Sequence, residues 1–173
     1  YLVDAKSQAE KRAFSHFVIP RFTHARASEG NSIQDLYAAI IKNGNRNVLL
    51  VEDAINLVRA GRSPILLTER KEHAAQLAML LKPQVQNVFL MVGSDKPKEK
   101  REKLDALHAT PANEEVVVVA TGKYIGEGFD APRLDTLLLA MPISWKGTLA
   151  QYAGRLHRNY EGKHEVRIYD YVD

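Results

Sequence analysis

Three polar side chains, Gln151, Arg155 and Arg158, stand at i, i+4 and i+7 in the run Gln151-Tyr152-Ala153-Gly154-Arg155-Leu156-His157-Arg158. On a helix that spacing puts them on one face, with Leu149, Tyr152, Ala153 and Leu156 on the other. Two guanidinium groups in register suit a phosphate. Each planar fork donates two parallel hydrogen bonds and keeps its charge at any cellular pH. Gly154 interrupts this helix at a cost of about 1 kcal/mol relative to alanine, which implies a close approach to the backbone there.

A second candidate precedes it, the loop Ala120-Thr121-Gly122-Lys123-Tyr124-Ile125-Gly126-Glu127-Gly128-Phe129-Asp130. Gly122-Lys123 does not complete a P-loop, because Val117 stands where a glycine is required and Tyr124 replaces the Ser or Thr. Gly126-x-Gly128-x-x-Ala131 is no better as a dinucleotide fingerprint. It begins well past its strand, and Pro132 and another strand follow in place of a helix. Two readings remain open. The glycines let the backbone approach a phosphate chain, with Thr121 and main-chain amides as donors and Asp130 beside the arginine face; or they form a tight turn that Asp130 caps.

The elements that position these residues follow from hydrophobic period. Residues 65–68 read as a buried strand, and Ala74, Leu77, Ala78 and Leu81 as a helix that Pro83 ends. Residues 85–91 read as a strand, 97–108 as a charged helix opened by Pro97, and the β-branched run 116–120 as a central strand covered on both faces. Strands over 134–140 and 165–171 flank the Gln151 helix. This alternation predicts an α/β domain with a doubly wound, mostly parallel sheet, whose ligands bind beyond the carboxyl ends of the strands. Upstream, Ile33, Leu36, Tyr37, Ile40 and Ile41 mark an amphipathic helix ended near Gly44. Residues 48–59 read as a second helix closed by Gly61, and residues 1–31 as a partly ordered connector.

A chain of 173 residues is long enough for one well-buried core. Its net charge of +3 and pI near 9.1 are compatible with a nucleic-acid partner without requiring one. There is no cysteine, which excludes disulfides and thiolate zinc sites and fits a cytoplasmic protein. No apolar run reaches the roughly 20 residues of a membrane span, and no His spacing suggests a metal site. The ends, Tyr1 and Asp173, read as cuts within a longer polypeptide.

With these residues in view, residues 121–130 resemble motif V of superfamily 2 helicases, Gln151 to Arg158 resemble their motif VI, and Ile65 to Arg70 resemble motif IV. The resemblance covers about residues 64–172, in the family's order and spacing. Ile19-Pro20-Arg21-Phe22-Thr23 and Pro142 to Thr148 further resemble a bacterial subgroup related to type III restriction and DNA-repair helicases. It implies a division into a connector and helical lead-in (1–61) and a C-terminal RecA-like domain (62–173). It also implies that Arg158 is an arginine finger for the γ-phosphate of ATP, that Arg155 contacts phosphate or positions that finger, and that Gln151 orients the site. Gly128 and Asp130 would link to the nucleotide cleft, while Thr68, Thr121, Gly122 and Lys123 would touch a nucleic-acid backbone.

ATP and Mg²⁺ would be held mainly by an N-terminal RecA-like motor domain, since this chain has neither a Walker A nor a Walker B sequence. Motif VI opens with Gln151-Tyr152 rather than His-Arg, which favours DNA over RNA as the strand. The competing classes are a non-catalytic RecA-like binding module, against which the retention of both arginines argues, and a small-molecule enzyme, which lacks a nucleophile–base pair. Trp145 reads as packing or base stacking, and the Lys96–Lys103 charge run as a solvated helix face.

Overall fold

The computed structural model describes residues 15–23, 32–125, 129–142, 152, 154–156 and 158–173. In chain order these form β1 (Ser15–Phe22), α1 (Ile33–Lys42), α2 (Gly44–Arg59), β2 (Pro64–Thr68), α3 (Lys71–Leu81), β3 (Asn87–Met91), α4 (Pro97–Ala109), β4 (Val116–Thr121), β5 (Thr136–Leu139) and β6 (Glu165–Val172). The six strands make one sheet in the order β1-β6-β5-β2-β4-β3, and every pair is parallel.

Alternation along the central strands sorts the core into two layers. Ile65, Leu67, Val116, Val118, Ala120, Leu137 and Leu139 face α4 and the helical segment of Tyr152 and Leu156. Leu66, Val117, Val119, Leu138 and Ala140 face α2 and α3, through Leu50, Ala54, Leu57, Ala74 and Leu77. All residues of β2, β4 and β5 are buried, as a sheet covered on both faces requires. Each such aliphatic side chain contributes about 1.5–3 kcal/mol by leaving water.

Local chemistry sets the helix ends. Ser32 and Asp35 form a reciprocal capping box at α1. The Asn43 side chain accepts from the Arg46 amide and starts α2 earlier than its apolar run suggests. Gly61, at φ +78°, lets the chain turn left-handed after α2. Val85, read from sequence as the first residue of a strand, instead donates its amide to Leu81 O at the exit of α3, so β3 begins at Asn87.

Within residues 1–31, read from sequence as a partly ordered connector, Ser15–Phe22 form an edge strand running parallel to β6. Two elements, α2 and β6, lock it in place. Arg21 grips Asp53 of α2 through Nε and Nη2, both at 2.8 Å, and the Tyr171 hydroxyl of β6 donates to the same carboxylate at 2.8 Å. Pro20 is tolerated because an edge strand can spare an amide.

Candidate functional site

β2 and β4 end side by side, with Thr68 paired to Thr121. Beyond their carboxyl ends opens a cleft of about 370 Å³ whose lining includes Glu69, Arg70, Gly93, Ser94, Thr121 and Lys123. The Gly122 amide donates to Thr68 O at 3.2 Å, and the Gly93 amide to Thr121 Oγ1 at 2.8 Å. The exit loops of three strands are thereby tied together. A hydroxyl that accepts one bond still has a proton to donate, and that of Thr121 is at the cleft wall.

Thr68 is placed differently. It is buried, and its hydroxyl accepts from the Arg70 amide at 3.3 Å and meets His73 Nδ1 at 3.1 Å. His73 Nε2 in turn lies 3.0 Å from Asn47 Oδ1, while Asn47 Nδ2 donates to Ile41 O. The donors and acceptors of this chain close with a neutral imidazole protonated at Nε2. Burial, reinforced by the nearby Arg46 guanidinium, pushes the His73 pKa down to about 4. Thr68 therefore shapes the turn from beneath, and the cleft presents the residues that follow it.

Two glycines are dictated by close approach. A Cβ on Gly122 would lie 2.3 Å from the Tyr152 hydroxyl and 2.7 Å from Glu69 Oε1, and one on Gly93 would lie 2.6 Å from Lys123 Cβ. Tyr152 thus reaches from the motif VI segment to the floor of the cleft. Burial raises the Glu69 carboxyl pKa, against the opposing pull of Lys123 and Arg70. The Arg70 guanidinium turns toward α1, where it meets Gln34 and lies over the Tyr37 ring at 5.4 Å.

Farther along the same segment, Arg158 Nε stands 3.5 Å from Asp130 Oδ1, with 57% and 54% of the two side chains exposed. Asp130 is therefore beside the arginine, as the loop reading anticipates. Its carbonyl is 2.7 Å from His108 Nε2 of α4. Arg155 is half-buried and borders an apolar pocket with Ile125, Phe129 and Tyr152. Tyr152 and Leu156 are buried, as the packing face of the amphipathic reading requires. Arg158 itself lies in a bend beyond the helical residues, not on the helix face that its i+7 spacing predicts. Gly154 is exposed, and no described atom lies within 4 Å of where its Cβ would be, so the close approach inferred from its helix cost does not come from the described residues of this chain. Gln151, Gly128, His157 and Trp145 lie outside the described residues.

Sequence reasoning gave no site role to Glu69, Arg70, Gly93 or Lys163, although the first two fall within the motif IV resemblance. Adjacency of Glu69 and Arg70 to Thr68 could have flagged the first two. Gly93 and Lys163 gain their roles from partners far away in sequence, and no local signal marks them.

No protein-family model matches the sequence, and no curated protein matches it. Solved structures do. The chain superposes on T4 UvsW with a TM-score of 0.70 at 19% identity, over 92% of this chain and 32% of that one. It superposes on the C-terminal part of the Fun30 ATPase domain with a TM-score of 0.63 at 14% identity, over 78% of this chain and 42% of that one. The chain thus spans a third to two-fifths of the length of these two. Its fold is RecA-like and shared with these two, an all-parallel, doubly wound sheet flanked by helices.

Proposed function

We propose that this chain is the second motor domain of an ATP-dependent nucleic-acid helicase or translocase. The observation that carries the reading is the Arg158–Asp130 arrangement: a guanidinium more than half exposed, held near a loop and, among the described residues, in no buried ion pair. Such a group fits an incoming phosphate, because it gives up only a weak solvated contact to make a charge-assisted one. Motif resemblance and fold likeness support the same assignment.

Mg²⁺ and ATP would be held chiefly by an N-terminal RecA-like motor domain apposed to this one, and bound ATP supplies a transferable γ-phosphoryl group. Toward it Arg158 contributes the finger that stabilises developing charge. Arg155 contributes a second cation or holds the first in place, and Gln151 and Gly128 complete the cleft as the motifs imply. Asp130 orients Arg158. Across Tyr152, the strand cleft offers the Thr121 hydroxyl, the Gly122 main chain and the Lys123 ammonium to a phosphate backbone, DNA in preference to RNA, with Thr68 supporting them from below. The isolated domain then binds single strands weakly and hydrolyses no ATP.

The deciding experiment is strand-stimulated ATP turnover by the two-domain protein with Arg158→Ala. The expected loss in kcat is about 10³-fold or more, with single-stranded DNA still bound. Turnover close to wild type would refute the finger. Stimulation by RNA but not DNA would reverse the strand preference.

A further inference from the structure

Lys163 lies in the turn between Arg158 and β6, and its ammonium is half-buried among main-chain carbonyls. Nζ donates to Pro132 O at 3.0 Å, Leu134 O at 2.7 Å and Arg158 O at 3.1 Å, and also to Leu156 O. Two of these oxygens belong to the segment that leads from Asp130 into β5. Of the other two, Leu156 O belongs to the helical segment that carries Arg155 and Arg158 O to the bend that follows it. An ammonium has three protons for these four acceptors, so the bonds are shared and the charge, not any single bond, holds the group. A cation is also well matched to the carbonyl end of a helix.

The exposed Arg158–Asp130 pair joins the same two segments, but a pair that open to water contributes at most about 1 kcal/mol. It cannot by itself hold Arg158 in one place. The cation beneath it can. We propose that Lys163 is the positioning residue of the arginine pair, tying the main chain of Arg158 to the Asp130 segment so that the guanidinium meets phosphate already oriented. This rests on the reading of Arg158 as the finger. Around the amine stand Asp135, which favours its charge, and Arg62, which opposes it; the segments it ties also carry Asp130, Arg133, Arg155 and Arg158. Burial pushes its pKa down to about 8.

The test is a double-mutant cycle in the two-domain protein, reading strand-stimulated ATP turnover for Lys163→Met, Lys163→Arg, Arg158→Ala and Lys163→Met with Arg158→Ala. Misplacing a reacting group by an ångström costs about 10²-fold, so Lys163→Met should lower kcat about 10- to 100-fold while KM for ATP stays within about twofold. Lys163→Arg should restore most of the rate. With Arg158 already removed, Lys163→Met should cost no more than about twofold, since residues acting as one unit are not additive. Equal losses on both backgrounds would reduce Lys163 to general structural support, and an unchanged kcat would remove it altogether. Full turnover by Arg158→Ala alone would bring down the finger reading, and this inference with it. If Lys163→Met does not fold, pH decides: kcat of the wild type should fall as the amine loses its proton above about pH 8, and that of Lys163→Arg should not. Superimposable profiles overturn the proposal.

Discussion

At the carboxyl ends of β2 and β4, Thr68, His73 and Asn47 satisfy one another in the dry interior. Arg158 and Asp130, by contrast, meet at 3.5 Å with more than half of each side chain in water. The first region is complete within this chain, and its polar groups cost nothing because each has found a partner. The second holds a cation and an anion in a contact too weak to explain their placement. A cleft floor must keep its shape whether or not a ligand is present. A phosphate-sensing arginine must stay free to exchange one partner for another.

Breaking each region should therefore give opposite signatures. The largest effect belongs to Arg158→Ala, with kcat of the two-domain protein down by about 10³-fold and the melting temperature unmoved within about 1–2 °C. A large drop in melting temperature would mean that Arg158 is structural and the comparison is mistaken.

Next comes acid sensitivity on the cleft side. His73 titrates near 4 in the folded chain and near 6.5 when unfolded. Below pH 6.5 the unfolded state takes up a proton that the native state refuses. Stability is thus full above pH 6.5 and lost as pH falls toward 4, by about 3 kcal/mol in all. Urea denaturation between pH 7.5 and 4.5 should show this slope, and His73→Gln, which keeps a donor and an acceptor but cannot titrate, should flatten it. Equal slopes would locate the acid sensitivity elsewhere.

Gly122→Ala is expected to destabilise by about 1–3 kcal/mol through overpacking, because its methyl would meet the Tyr152 hydroxyl and the Glu69 carboxylate. Adding Tyr152→Phe should recover part of that loss in thermal melts. No recovery would mean that Glu69 alone limits the space. The smallest effect is reserved for Lys123→Ala, a single exposed cation at the cleft. Strand affinity should fall modestly, and the slope of log K against log salt by about 0.7 for a single strand. An unchanged slope would take Lys123 off the strand path.

The two regions also differ in how much of them could be read before folding. The run Val116 to Ala120 announces a central strand because β-branched residues on both pleats need cover on both faces. Gly61 closes α2 because the left-handed turn it makes disfavours a side chain. β1 stayed hidden for the opposite reason. Pro20 interrupts its pattern, and Phe17, Val18 and Phe22 remain exposed, so neither period nor burial marks it. Its place is secured by Arg21, Asp53 and Tyr171, of which Asp53 is 32 positions from Arg21 and 118 from Tyr171.

By itself the sequence determined what is local: which residues alternate, which recur at helical spacing, and that Arg155 and Arg158 stand close behind a glycine-bearing loop in a recognisable order. Tertiary structure decided what depends on closure of long loops. It set Asp130 beside Arg158, ended the helix before Arg158, sank Thr68 beneath the cleft it was expected to line, and gathered four carbonyls around Lys163. Main-chain carbonyls are the same at every residue. Which of them a buried ammonium meets is therefore written only in the packing of the sheet.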